Sequence, residues 1–276
     1  MQLTHDVRNR IKRATVAIVV MNERLPTRPF EILGSGFCIH SRGVIVTCRH
    51  VIAAFMARPL ELILKEHPEL RGAGQGAAAV EAQSIVPYAV FFDVESQPDK
   101  VHAYMARADI TVVRLTHDLG FLRVHPHVQF RSGYPTVDIA PFGAATEGTE
   151  IATCGFPLGS SLYDQIGTVT SSFTRGMVSA LIPAPNASER QLTGYQLDLT
   201  ATHGNSGGPV FLVETGQACG VLQGGVFDQS RRLLPGITKA EPIYPLLWDN
   251  DLERFVNAPS SVEEFIKYKE AHGPHG

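Results

Sequence analysis

Thr202-His203-Gly204-Asn205-Ser206-Gly207-Gly208-Pro209-Val210 sets one serine among three glycines and closes on a proline. Gly and Ser are common turn residues, so a plain surface turn is the first reading. The order of the residues carries more. Gly204 has access to dihedrals closed to other residues, which lets nearby backbone N–H groups converge on one point, and Ser206 presents its hydroxyl to that point. Gly207 and Gly208 leave room beside it, Pro209 closes the turn, and Val210-Phe211-Leu212-Val213 has the pattern of a buried strand. This is the arrangement of a nucleophile beside an oxyanion site. Without a base it would be inert, so a histidine and a carboxylate are sought upstream.

Working back along the chain, Glu31 to His40 alternates and contains Gly34-Ser35-Gly36-Phe37. Ser41-Arg42-Gly43 is a turn signal and Val44-Ile45-Val46-Thr47 returns as the second arm of a hairpin. Cys48-Arg49-His50 follows directly, ahead of a short helical stretch from Val51 to Met56. A histidine at the exit of a buried strand is placed to point across the edge of a core, and His50 is the candidate base. Strands are expected from Ser84 to Phe92, from Val101 to Met105 and from Ala108 to Leu115. Asp109 opens the last of these; a carboxylate at the start of a central strand has little room for solvation and needs a partner, which His50 would supply. The order His, Asp, Ser is one of the known arrangements of this triad.

Further strands are expected over Ile151–Phe156, Gly167–Thr170, Gly176–Leu181, Tyr195–Thr200 and Ala218–Gln223, whereas 116–145 is expected to be loop. His117, His125 and His127 fall in that loop, but their spacing matches no strand or helix face, so no metal site is expected. The run Arg71 to Ala79 is Gly-rich without the Lys-Ser/Thr ending or the preceding strand of a phosphate loop, which leaves a surface loop.

With 276 residues, the chain is long enough for one large β domain or two small ones with cores that need no staples. The net charge of -3 has no basic block behind it, which argues against a nucleic-acid surface. Cys38, Cys48, Cys154 and Cys219 show no Cys-x-x-Cys pair, so neither zinc nor a disulfide scaffold is indicated, and free thiols are expected. A bridge between Cys38 and Cys48, on the two arms of one hairpin, stays open. Arg8 to Arg13 ahead of the apolar run Ala14 to Met21 has a signal-like order. That run is short, β-branched and followed by Asn22-Glu23-Arg24 without a cleavage site, so it reads as a first strand. No segment approaches the roughly 20 apolar residues of a membrane span, and the cytoplasm is the expected address.

In order along the chain, Gly34-Ser35-Gly36-Phe37, Val46-Thr47 with His50-Val51, Asp109-Ile110, Gly155-x-Pro157, Gly176 to Ala180, and Gln196-x-Asp198 with Gly204 to Pro209 resemble the trypsin-like (chymotrypsin-fold) serine peptidases. Within them they are most similar to the high-temperature-requirement or Deg-type branch. The resemblance spans about residues 14 to 245. It implies an all-β fold of two six-stranded antiparallel β-barrels, over 14–120 and 145–245, with the site in the cleft between them and a tail over 246–276. It further implies that Ser206 is the nucleophile, His50 the base and acid, and Asp109 the residue that orients the imidazole, while the N–H groups of Gly204 and Ser206 hold the oxyanion. No cofactor is implied.

Asn205 stands where secreted digestive members carry an Asp, so activation by trimming of the N-terminus is not expected. The roughly thirty residues after 245 are too few for the PDZ domain usual in the Deg-type branch. Ser261-Val262-Glu263-Glu264 is instead a capping box for one C-terminal helix ending at Gly273. By matching positions, Thr200 lies at the floor of the primary specificity pocket, with His203, Gln223, Gly224 and Val226 along its walls. A floor without an acid disfavours Arg or Lys and favours a small or medium apolar side chain before the cut, with a polar or acidic preference left open by His203 and Gln223.

The expected activity is that of a serine endopeptidase acting on protein or peptide substrates. The alternative is a latent scaffold or sensor switched by a protein partner. An α/β-hydrolase fits poorly, because its Gly-x-Ser-x-Gly loop lies between a strand and a helix and its catalytic His comes last in the chain.

Overall fold

The computed structural model describes residues 3–22, 31–55, 85–93, 102–113, 117–141, 143–158, 170–183, 192–230 and 232–243. Helix α1, His5–Ala14, precedes six strands: β1 (Thr15–Asn22), β2 (Glu31–His40), β3 (Val44–Thr47), β4 (Ile85–Asp93), β5 (His102–Val113) and β6 (Gly120–Val124). They close into a barrel in the order β1-β2-β3-β6-β5-β4. Six more follow: β7 (Glu150–Gly155), β8 (Ser172–Pro183), β9 (Leu192–Leu197), β10 (Pro209–Leu212), β11 (Ala218–Phe227) and β12 (Leu233–Pro242). These form a second closed barrel, β10-β11-β12-β9-β8-β7. All pairings between these strands are antiparallel. The fold is chymotrypsin-like, and closure leaves neither sheet with an open edge.

Burial explains why β1 is an unbroken apolar run instead of an alternating one. Val16 and Ile18 face the first barrel's core with Phe37, Val46 and Phe121. Ala17 and Val19 face the other way, into a cluster with Phe92 and Phe156. Phe156 follows β7, so this second face, where the Phe92 and Phe156 rings lie 5.0 Å apart, is part of the seam between the barrels. The second barrel closes around Ile151, Leu197, Val210 and Leu222.

Three elements differ from the sequence reading. The basic stretch Arg8–Arg13 is the latter part of α1: the Thr4 hydroxyl accepts the Val7 N–H, Asp6 sits in the first turn, and Lys12 and Arg13 sit in the last. Each placement suits the helix dipole. Ile11 docks this helix on Ala152, Cys154, Phe211 and Val213 of the second barrel. Strand β6 lies inside the stretch expected to be loop and carries the first barrel on to Val124. The two strands expected between 101 and 115 are one, β5. The hairpin β2–β3 and the short helix, α2 over 49–55, are where the sequence puts them.

All four cysteines are buried and free, so no Cys38–Cys48 bridge forms. The loop expected from 71 to 79, residues 167–169 of the strand expected over 167–170 and the C-terminal helix lie outside the described residues, and Thr170 is not in a strand. Among the described residues no helix is long and apolar enough to cross a membrane.

Phe211 is fully buried and meets Phe173 edge-on at 5.9 Å. Phe211→Ala should cost about 3–5 kcal/mol in urea unfolding; a loss under about 1 kcal/mol would mean that α1 and β10 do not share this core.

Candidate active site

The loop that carries Ser206 runs between β9 and β10 and is held by the other barrel. Ser35, wholly buried in β2, donates its N–H to the Ser206 carbonyl at 2.8 Å and its hydroxyl to the Gly204 carbonyl at 2.6 Å. The same hydroxyl accepts the Phe156 N–H at 3.0 Å, and the Ser35 carbonyl accepts the Thr47 hydroxyl at 2.7 Å. Glycine is required where the backbones come this close. Gly207 has φ +90°, and a Cβ there would lie 2.0 Å from the Ser35 oxygen. At Gly34 an added Cβ would lie 2.9 Å from the Ser206 oxygen. Farther along, the Leu158 N–H donates to the His203 carbonyl at 2.6 Å, and Leu158 holds φ +60° to do so. A non-glycine residue in that region carries strain, stored here against the nucleophile loop.

His50 sits in the first turn of α2, just past β3. The register of β3 on β6, with Thr47 opposite Gly120, sets the 117–119 turn beside Cys48 to His50. The Asp118 carbonyl accepts the Arg49 N–H at 3.2 Å. The Asp118 carboxylate takes the His50 backbone N–H at 3.0 Å on one oxygen, and its other oxygen lies 2.7 Å from His50 Nδ1. Burial alone would push the Asp118 carboxyl up, but the bonds from His50 and the charges of His50 and Arg49 outweigh it and hold it below the ordinary value. The His50 side chain remains half exposed.

The Ser206 hydroxyl donates to the Gln223 carbonyl at 2.7 Å. A hydroxyl has one proton, so in this state it is not directed at His50. Among the sequence-proposed wall and floor positions, Thr200 and His203 are exposed, whereas Gln223, Gly224 and Val226 are half-buried on β11. A Cβ built on Gly224 would stand 3.5 Å from Ser206 Oγ, so this strand does flank the serine. The Gln223 amide is committed to Glu241, donating to it at 2.7 Å.

Cys48 Sγ, a ring nitrogen of His50 and an Asp118 carboxylate oxygen lie within 4.8 Å of one another, a grouping of metal-binding atom types. Burial, together with the negative charge of Asp118, raises the Cys48 thiol well above its ordinary value. The protonated thiol donates to the Leu222 carbonyl at 3.2 Å, and the other two groups are bonded to each other. The trio therefore fits a hydrogen-bonded cluster better than a ligand set.

The trypsin-like peptidase domain profile matches residues 34–221, from the β2 glycine through the serine loop to β11. The chain belongs to the trypsin-like peptidase domain family. Among solved structures similar to this trypsin-like domain, Deg5 aligns with TM-score 0.56 at 18% identity, over 88% of this chain and 89% of that one. The HtrA-type protease AlgW with a tripeptide aligns with TM-score 0.56 at 15% identity, over 91% of this chain and 64% of that one. The chain thus spans less than two thirds of the AlgW chain, and likeness at these identities concerns the fold. No curated protein matches the sequence.

In this trypsin-like domain the acid that meets His50 is Asp118, and Asp109, expected there from the sequence, is not brought to it. Asp109 lies on the outer face of β5, 64% exposed, with its carboxylate 2.8 Å from His125 Nε2. The reason is visible in the sequence once the topology is known. Asp109-Ile110-Thr111-Val112-Val113-Arg114-Leu115 and Asp118-Leu119-Gly120-Phe121-Leu122-Arg123-Val124 share one pattern, an acid followed by apolar residues with an Arg in sixth place, nine residues apart. Only the second copy pairs with β3, and only its acid meets His50.

A carboxyl held low by the fold contributes stability above the ordinary carboxylate pKa, and that contribution is lost as pH falls through the folded value. The stability gap between the wild type and Asp118→Asn should therefore shrink as urea melts are taken from pH 7 toward pH 3. A gap that stays constant would mean that Asp118 carries no charge-linked bond.

Proposed function

We propose that the chain is a serine endopeptidase that hydrolyses peptide bonds through an acyl-enzyme intermediate, with Ser206 as nucleophile, His50 as base and then acid, and Asp118 as the residue that orients the imidazole. The observation that carries this reading is the two-point grip of Asp118 on His50. With Nδ1 taken by the carboxylate, Nε2 is the ring nitrogen left to exchange protons. As Ser206 Oγ attacks the substrate carbonyl carbon, its proton passes to Nε2. The same proton then goes to the departing amine, and water repeats the cycle in reverse to release the acid. Asp118 stays ionised throughout and stabilises the imidazolium, which its low pKa favours.

The N–H groups of Gly204 and Ser206 serve as the oxyanion donors in this scheme. Two hydrogen bonds support the assignment: the His203 carbonyl is taken by Leu158 and the Asn205 carbonyl by Gly208 at 3.0 Å. In a trans peptide the N–H points opposite the carbonyl, so the following N–H groups are turned away from those partners. For the residue before the cut we propose a small or medium apolar side chain. Thr200 offers no charge for Arg or Lys, and the engagement of the Gln223 amide by Glu241 removes one polar group from the wall.

A second reading, a peptidase at rest until a partner or substrate engages it, is favoured by one observation, the Ser206 hydroxyl bonded to Gln223. Labelling with a fluorophosphonate separates the two, since labelling of the isolated protein at full rate means a site already competent.

On a fluorogenic peptide library, Ser206→Ala and Asp118→Asn should each lower kcat on the order of 10⁴-fold or more. Asp109→Asn should stay within about threefold of wild type. Inactivation by Asp109→Asn with Asp118→Asn still active would overturn the assignment.

A further inference from the structure

Glu241, on β12 of the second barrel, is a carboxylate with 4% exposure. One of its oxygens lies 2.6 Å from His117 Nδ1 of the first barrel, and the other accepts the Gln223 amide at 2.7 Å. The Asp118 backbone also hydrogen-bonds to it. Two of these contacts lead to Asp118 and the third leads to Ser206. His117 and Asp118 are adjacent, and Asp118 grips His50. The Gln223 carbonyl holds the Ser206 hydroxyl at 2.7 Å. From the nucleophile to the base, the path therefore runs Ser206, Gln223, Glu241, the 117–118 turn, Asp118, His50, and it crosses between the barrels at a single carboxylate.

A buried, hydrogen-bonded charge of this kind adds little net stability compared with an apolar residue of the same shape; what it supplies is a fixed relative position for the groups it joins. The other groups around it, Gln223 and the Asp118 backbone, are themselves parts of the site, and Cys48 lies close enough for the Glu241 charge to raise its thiol further. We infer that Glu241 is a positioning residue, holding the strand that carries Gln223 and the turn that carries Asp118 in one register so that Ser206 and His50 face the same carbonyl. This inference rests on the hydrolase reading and names the residue that keeps the two halves of that site aligned.

The test measures the rate at which a fluorophosphonate labels Ser206 in the full chain, together with kcat and KM on one peptide. Glu241→Ala and Gln223→Ala should each slow labelling and kcat about tenfold, with the larger share in kcat. The double variant should be no slower than the slower single, because both break one chain of contacts. Glu241→Gln, which keeps the shape and can still bond at both ends, should recover to within about threefold of wild type. Additive losses, a Glu241→Ala protein that labels at wild-type speed, or a Glu241→Gln protein as slow as Glu241→Ala would each overturn the inference. Should Glu241→Ala fail to fold, Glu241→Gln and Gln223→Ala give the same decision: a fast Gln variant with a slow Gln223→Ala supports it, and any other pairing overturns it. A wild type that neither labels nor cleaves sinks the hydrolase reading instead. In that case a His117/Glu241 alanine cycle in urea still tests the contact, and the absence of coupling in the unfolding constant removes the clamp as well.

Discussion

The site depends on the seam between the barrels, and that seam is fastened at Ser35. A serine with no exposure must satisfy its hydroxyl and both backbone groups inside the protein. Ser35 does so by reaching the second barrel three times, at Ser206, Gly204 and Phe156, and its own barrel once, at Thr47. Thr47 ends the strand that delivers His50, so one small residue ties the base-bearing strand to the serine loop. The close approach explains the glycines on both sides: Gly34 and Gly207 are positions where even one methyl group would meet backbone from the opposite barrel.

Charge is distributed unevenly around this seam. Asp118 and Glu241 are neighbouring carboxylates that influence each other, yet they move in opposite directions. Burial raises Glu241, helped by the Asp118 charge, and its bond to His117 only partly offsets that. For Asp118 burial is again the largest single influence, but its several bonds to His50 reverse the sign. Stability follows both trends. The Asp118 contribution is present above the ordinary carboxylate range, while that of Glu241 is present below it and fades as pH rises through its raised value.

How much of this was legible in the sequence depends on whether the information was local. The serine loop, the β2–β3 hairpin and His50 at its exit were legible, since glycine spacing, turn residues and alternation are properties of adjacent residues. Helix α1 was also written locally, in Thr4, Asp6 and the spacing of Val7, Ile11 and Ala14, but a basic stretch before an apolar strand obscured it. Which acid meets His50 was not a local question. Asp109 and Asp118 open the same pattern, and what separates them is which strand pairs with β3, a choice made by barrel closure. Strand β6 was passed over for a related reason: histidines and prolines flank five buried residues, and the punctuation outweighed a short apolar run. Glu241 could not have been singled out at all, because its importance lies wholly in crossing from one barrel to the other.

The resting position of the Ser206 proton bears on how far the site can be held inactive. In the proposed mechanism the hydroxyl turns from the Gln223 carbonyl to His50, exchanging one hydrogen bond for another, and a single such bond is worth about 0.5–1.5 kcal/mol net. That difference amounts at most to about tenfold in population, so this rotation alone delays a site without silencing it. Deeper latency would need the 203–206 backbone to move. The bonds that oppose such a movement, Leu158 to His203 and Ser35 to Gly204 and Ser206, are among the short ones at the seam. The first of these is made by a non-glycine residue at φ +60°, a conformation that itself costs free energy. An effector acting on the serine loop would therefore have most purchase at the Leu158 side, because the Ser35 side is locked into the barrel core.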